Sequence, residues 1–254
     1  MEFDDFKAFT NNICAQTREI ILSYFESPRL EVEMKSDRTP VTLADQEAER
    51  AIRRAIQSHY PAHGIRGEEF EDLNPEAEFT WVLDPIDGTK SFTATCPLFG
   101  TMIALLKNGE PIYGCIDFPA LDKRILGDGT TAIANGEVVS ASTDRPLSEA
   151  VVLTSDQNDI ARLQNETAFK RLVDRTRHTR TWGDCYGYYL ISTGHADIML
   201  DPEMSPWDIM ALIPIVRGAG ARITDWEGAD PVKGNSIVAA TSRLHEETLR
   251  ILNG

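Results

Sequence analysis

The sequence predicts an α/β chain in two parts, an α+β half followed by an α/β half. Three observations carry this. Apolar residues keep helical spacing up to Pro61. Short apolar runs then meet at Asn108-Gly109 and Asn135-Gly136, dipeptides that suit tight hairpins. From Val151 onward strand-like runs alternate with helical ones, as in a sheet covered by helices.

The first helix is expected over Asp4 to Ser27, where Phe6, Ile13, Ile20 or Ile21 and Tyr24 recur at helical spacing and Pro28 stops the run. An irregular stretch is expected from Glu31 to Pro40. Thr42 then reads as an N-cap with Asp45 at the capping-box position, and Ala44, Ala48, Ala51, Ile52, Ala55 and Ile56 form one face of a second helix. Strands are expected at Gly64–Arg66, Phe79–Leu83, Phe99–Leu106 and Pro111–Asp117. The polar region from Ser140 to Leu147 suggests a boundary, giving domains 1–142 and 143–254. Beyond it lie a strand at Val151–Thr154, helices near Asp159–Asp174 and Gly183–Thr193, and a strand at Asp197–Leu200. A helix at Pro206–Arg217, strands at Ala221–Thr224 and Ser236–Ala240 and a closing helix at Arg243–Leu252 complete the chain.

Of 254 residues 42% are apolar, enough for a sizeable core and against disorder over most of the chain. No run approaches about 18 apolar residues, so no membrane-spanning helix is expected. The acidic start, Met1 to Asp5, lacks the basic segment of a secretory signal. The four cysteines, Cys14, Cys96, Cys115 and Cys185, show no CxxC spacing and read as free thiols of a cytoplasmic protein. The five histidines are scattered and read as surface or packing residues. A net charge of −15 argues against nucleic acid or an anionic membrane as the main partner. The same field would repel an anionic substrate unless a divalent cation reversed the local sign. Clustered carboxylates are therefore the feature to seek.

Three clusters stand out: Gly67-Glu68-Glu69 after a strand, Asp84-Pro85-Ile86-Asp87-Gly88-Thr89 at the end of the run from Trp81, and Trp207-Asp208 opening an apolar helix. Taken singly, each has a plainer reading. Glu68-Glu69 is a solvated acidic turn, Asp84-Pro85 and Asp87-Gly88 are ordinary turn dipeptides, Asp208 complements a helix dipole, and Asp45 caps a helix. Together they offer hard oxygen ligands from separate elements, which is what Mg2+ requires. The Gly88-Thr89 step opens a turn or helix whose free N–H groups suit a phosphate.

Trp81 to Thr89 and Trp207-Asp208 to Ala219-Gly220 resemble the two signatures of the lithium-sensitive, Mg2+-dependent phosphatases, which include inositol monophosphatases, sugar bisphosphatases and histidinol-phosphate phosphatases. Gly67-Glu68-Glu69 and Val41 to Asp45 resemble two further segments of that family, and the resemblance runs from Thr39 to the C-terminus. It implies a layered αβαβα sandwich of the inositol monophosphatase and fructose bisphosphatase type, assembled as a homodimer. Glu68, Asp84 and the Ile86 carbonyl would bind one Mg2+, and Asp84, Asp87 and Asp208 a second, with Glu68 sharing a third, looser ion. Asp45 and Thr89 would activate the attacking water, and the Gly88 and Thr89 amides would hold the phosphate.

Trp182-Gly183-Asp184-Cys185-Tyr186-Gly187-Tyr188 and Asp201-Pro202 look most like the histidinol-phosphate phosphatase branch. In inositol monophosphatases the place of Asp184 is small and neutral, and that of Asp201 is typically a glutamate. Extra carboxylates suit a substrate with an ammonium group and an imidazole, although Asp184 also reads as a cap of its helix. Lys90 reads equally as a phosphate contact or a solvated lysine. The expectation is a Mg2+-dependent phosphomonoesterase that hydrolyses L-histidinol phosphate in histidine biosynthesis. The alternative is an inositol-1-phosphate or broad-range sugar phosphatase of the same fold. A non-catalytic metal or phosphate binder is disfavoured by the intact Asp45 and Thr89, and a two-metal nuclease by the charge.

Overall fold

The computed structural model describes residues 1–27, 32–34, 40–143 and 145–254, and for 32–34, 40 and 41 the backbone alone. Helices α1 (Phe3–Tyr24) and α2 (Leu43–His59) flank a short antiparallel pair, β1 (Val32–Met34) and β2 (Pro40–Thr42). The stop expected at Pro28 lies outside the described residues. Of the stretch expected to be irregular, residues 32–34 and 40 are strand, and the others lie outside too. The expected capping box is present: Thr42 and Asp45 each accept from the other's backbone at the start of α2.

A seven-stranded sheet follows in chain order: β3 (Gly64–Gly67), β4 (Phe79–Asp87), β5 (Gly100–Lys107), β6 (Glu110–Phe118), β7 (Lys123–Gly127), β8 (Ala132–Ala134) and β9 (Glu137–Val139). Only β3 and β4 pair in parallel. Both Asn-Gly dipeptides form hairpin turns, with φ of +51° and +84° at Asn108 and Gly109 and +49° and +89° at Asn135 and Gly136. A short helix, α3 (Thr89–Thr93), leaves the end of β4. The strand β7 was not expected, and β4 runs on through Asp87, well past Leu83.

The second sheet contains β10 (Val151–Thr154), β11 (His178–Arg180), β12 (Ile198–Asp201), β13 (Arg222–Thr224) and β14 (Ile237–Ala240), in the order β11-β10-β12-β14-β13. β10 is parallel to both its neighbours, whereas β14 is antiparallel to both of its own. Helices α4 (Gln157–Leu163), α5 (Glu166–Val173), α6 (Asp184–Ser192), α7 (Pro206–Ile209), α8 (Leu212–Gly218) and α9 (Ser242–Asn253) surround it. Two expected helices are divided. The segment 159–174 breaks into α4 and α5 because the Asn165 side chain accepts the Ala168 N–H at 3.0 Å and starts a new helix. The segment 206–217 breaks into α7 and α8, where Pro214 has no N–H to give to the carbonyl of Met210. The edge strand β11 was also not expected.

Strand alternation sorts side chains into layers. Trp81 and Leu83 of β4 pack with Phe6, Phe9 and Ile13 of α1 and Ile52 and Ile56 of α2. The intervening Val82 faces the opposite way, into a core shared with Tyr188 and Ile191 of α6, Leu212 and Ile215 of α8, and Val151 and Leu153 of β10. Val152, on the far face of β10, packs with Ile160, Phe169, Leu172 and Leu244 of α4, α5 and α9. The layers are therefore helix, sheet, helix, sheet, helix, as the resemblance implied. No helix among the described residues is long and apolar enough to cross a membrane.

Candidate metal and phosphate-ester site

The C-terminal ends of β4, β10 and β12 open into one cleft, as is usual for ligand sites in α/β sheets. Asp84 and Asp87 are three residues apart, so in a regular strand they would point to opposite faces. The pairing of β4 with β5 passes from Asp84↔Met102 to Asp87↔Gly100, which inserts one extra residue in β4. That bulge turns Asp87 to the side of Asp84. Pro85 sits inside the bulge, where its missing N–H breaks no ladder bond, and its carbonyl accepts from Thr101 Oγ1 at 2.8 Å. The Ile86 N–H donates to Asp84 Oδ1 at 3.0 Å, while the Ile86 side chain is buried with Ala44, Ala48, Phe92 and Phe99. The Ile86 carbonyl accepts from Thr89 Oγ1 at 3.0 Å and keeps a second lone pair. Gly88 makes the turn into α3 with a φ of +82°, a conformation costly for residues with a Cβ.

Asp208 reaches the same place from α7. It sits in the first turn, as its plain reading had it, and caps that helix by accepting the Ser205 N–H at 2.8 Å. One carboxylate oxygen each of Asp84, Asp87 and Asp208 lies within 4.8 Å of the others. Burial pushes Asp87 up to about 7, with the Asp208 charge adding to it. Burial likewise raises Asp208 to about 7, against the Ser205 hydrogen bond, and holds Asp84 well above the carboxylate range. Glu68, at the end of β3, adds its charge to Asp45, Asp84 and Asp208. Asp45 is buried beside the cleft, with Oδ2 accepting the Thr42 N–H at 2.8 Å and the Thr42 hydroxyl at 2.6 Å. Burial raises it to about 6 despite those bonds.

The cleft has two adjoining lobes. One, of about 320 Å³, is lined by Glu68, Asp84, Ile86, Asp87, Gly88, Thr89, Lys90, Asp184 and Asp208 among others. The other, of about 280 Å³, is lined by Lys90, Ser91, Ser155, Asp156, Asp159, Asp184, Asp201 and Glu203, with Asp87 and Asp208 at the border. Asp184 does not cap α6. Its carboxylate accepts from Ser91 Oγ at 3.4 Å across the cleft floor, and the first-turn N–H of Cys185 goes to Asp87 instead. Burial, and the charges of Asp87 and Asp201, raise Asp184 to about 8. Asp201 lines the cleft too, but its oxygens accept from the Ser155 N–H at 3.1 Å and the Tyr188 hydroxyl at 2.8 Å. Lys90 is exposed on α3 and borders both lobes, the only Lys or Arg among the described lining residues of either.

Sequence reasoning missed Ser155, Asp156, Asp159 and Glu203. A signal existed: Ser155-Asp156 follows β10 directly and Pro202-Glu203 follows β12, and residues after strand ends are the usual ligand-binding positions.

The donor set fits a hard divalent cation. With Mg–O near 2.1 Å, octahedral ligands lie roughly 3 to 4.2 Å apart, within the span of the three carboxylates. Their raised basicity has burial as its main cause, and a cation would offset both that burial and their mutual repulsion.

The profile of the inositol monophosphatase family matches residues 3–254. A bifunctional phosphatase of Arabidopsis thaliana, chloroplastic IMPL2, is 37% identical, aligned over 99% of this chain and 76% of its own. A histidinol-phosphatase of Chlorobaculum parvum is also 37% identical, over 89% of this chain and 88% of its own. An inositol monophosphatase from Zymomonas mobilis superposes with a TM-score of 0.89 over the whole of both chains, at 32% identity.

Proposed function

Because this chain belongs to the inositol monophosphatase family of phosphoric monoester hydrolases, we propose that its substrate is L-histidinol phosphate, cleaved to L-histidinol and phosphate in histidine biosynthesis. The observation that carries this is the second lobe. Asp156, Asp159, Asp184, Asp201 and Glu203 face it, and Lys90 is the one Lys or Arg among its described lining residues. A substrate whose non-phosphate end is cationic restores the ionised state of Asp184, which burial otherwise opposes. The similarity to a histidinol-phosphatase at 37% identity supports the same reading.

In this reading Glu68, Asp84, the Ile86 carbonyl, Asp87 and Asp208 would hold two Mg2+ ions, and Glu68 would help hold a third. Bound there, Mg2+ would supply an acidified water and offset the phosphate's charge. Asp45, raised to about 6, is poised to take a proton near neutral pH. Thr89 orients the water through the lone pairs left by its bond to Ile86. The Gly88 and Thr89 amides receive phosphate oxygens, and Lys90 balances charge between the two lobes. The homodimer and the cytoplasmic setting belong to the same proposal, and light scattering tests the first.

A second reading, an inositol-1-phosphate or broad sugar phosphatase, has one observation in its favour. With a value of about 8, Asp184 is largely neutral at pH 7 when no cation is present, and a neutral carboxyl donates to a sugar hydroxyl. The two are separated by kcat/KM for L-histidinol phosphate and inositol 1-phosphate at matched Mg2+. Histidinol phosphate is expected to lead by at least tenfold. A preference for inositol phosphate sinks the first reading.

A further inference from the structure

The loop that carries Glu68 is gripped from beneath by two side chains of α2 that line neither lobe of the cleft. Glu49 lies one helical turn after Asp45 and is fully buried. Its Oε2 accepts the Glu69 N–H at 2.9 Å, and its Oε1 accepts from Arg53 Nε at 2.7 Å. Arg53 then spans the loop, donating from Nη2 to the Phe70 carbonyl at 2.9 Å and from Nη1 to the Glu71 carbonyl at 3.0 Å. Its guanidinium also lies 5.7 Å from the centre of the Phe70 ring. Gly67 is fitted to the same contact, because a Cβ there would stand 2.1 Å from Glu49 Oε1. On the opposite side the Glu68 N–H donates to the carbonyl of Leu83, the residue before Asp84.

Glu68 therefore sits between two neighbours, Gly67 and Glu69, that are both seated on Glu49. A buried ion pair is weak support for stability compared with an apolar pair of similar size, so its presence asks for another reason. Three of its hydrogen bonds end on loop backbone within three residues of Glu68. We infer that Glu49 and Arg53 are positioning residues for Glu68, fixing the reach of its carboxylate toward Asp84 and Asp208 and so the hold on the cation on that side of the cleft. This rests on the metal-centre reading above.

The test compares the wild-type chain with Arg53→Gln, Arg53→Lys, Glu49→Gln and Gly67→Ala. Mn2+ binding is followed by electron paramagnetic resonance without substrate, and the Mg2+ requirement by phosphate release from L-histidinol phosphate. Arg53→Gln is expected to weaken the loosest-held Mn2+ about tenfold or more, as loss of a ligand's supporting partner does. It should raise the half-saturating Mg2+ similarly and leave kcat at saturating Mg2+ within about threefold. Gly67→Ala should show the same pattern. Arg53→Lys keeps the charge beside Glu49 but cannot span two carbonyls, so it too should lose Mn2+ affinity. If Arg53→Gln does not fold, Arg53→Lys and Glu49→Gln carry the measurement. Unchanged Mn2+ affinity, full rescue by lysine, or a fall in kcat at saturating Mg2+ equal to the fall in affinity overturns the inference. A wild-type chain that binds no Mn2+ overturns the metal-centre reading itself.

Discussion

Asp87 Oδ2 accepts the backbone N–H of Cys185 at 2.5 Å, across 98 residues of sequence. The carboxylate that meets Asp84 and Asp208 at the end of the first sheet thus also closes the first turn of α6, which packs under the second sheet. Gly183, at the cap position of α6, has no side chain for that task. The two halves of the cleft are registered to each other by a residue that both need.

Replacing Asp87 separates its two tasks. Asp87→Asn keeps an acceptor for Cys185 but removes the charge, and should lower kcat/KM for L-histidinol phosphate by at least a hundredfold without lowering the melting temperature. Asp87→Ala should lose the same activity and also about 1 kcal/mol of stability, the usual worth of a cap. Calorimetry and steady-state kinetics check both. Activity near wild type in Asp87→Asn would remove Asp87 from the site.

Stability should depend on pH and Mg2+ together. Asp87 and Asp208 are raised from 3.8 to about 7 in the folded chain. Between those values the folded state binds more protons than the unfolded one. Their contribution is fully present below about pH 4 and is lost as pH rises through 7. Mg2+ favours the ionised carboxylates, so the melting shift it causes should grow with pH. At about a hundred times its Kd the ion is worth about 2.7 kcal/mol, or roughly 5–10 °C for a chain of this length. Melting curves with EDTA and with Mg2+, at pH 5 and pH 8, decide it. A shift no larger at pH 8 than at pH 5 contradicts the account.

Asp184 should act on substrate choice. Asp184→Asn is expected to lower kcat/KM for L-histidinol phosphate about 10- to 100-fold, the worth of a charged hydrogen bond. Inositol 1-phosphate should change by less than about threefold. Equal losses would assign Asp184 to holding Ser91 and the Gly88 turn, whose missing Cβ would stand 3.0 Å from Asp184 Oδ2.

Asp117 tests the scaffold instead of the chemistry. It is fully buried on β6 and accepts from Arg18 Nε and Arg124 Nε, both at 2.7 Å, tying α1 to β6 and β7. Asp117→Ala leaves two part-buried guanidinium groups without that partner and should cost about 3–5 kcal/mol. The melting temperature should fall by roughly 10 °C. A drop of under 2 °C would show that solvent satisfies both arginines.

Much of this protein was legible in the sequence because the deciding interactions are local. The Thr42–Asp45 capping box and the two Asn-Gly turns each close within four residues. The acidic motifs Glu68, Asp84-Pro85-Ile86-Asp87 and Asp208 announced themselves by residue type. Local chemistry could not say which way those carboxylates face, because the side of Asp87 depends on a bulge that exists only against β5. Nor could it say that Asp201 is engaged by Ser155 and Tyr188, or that Asp159 shares its cleft. Those relations, with the grip of Glu49 and Arg53 on the Glu68 loop, join segments from about 13 to 98 residues apart. Only docking of the layers sets them, since contacts at such separations form where packed faces meet and leave no periodic trace along the chain.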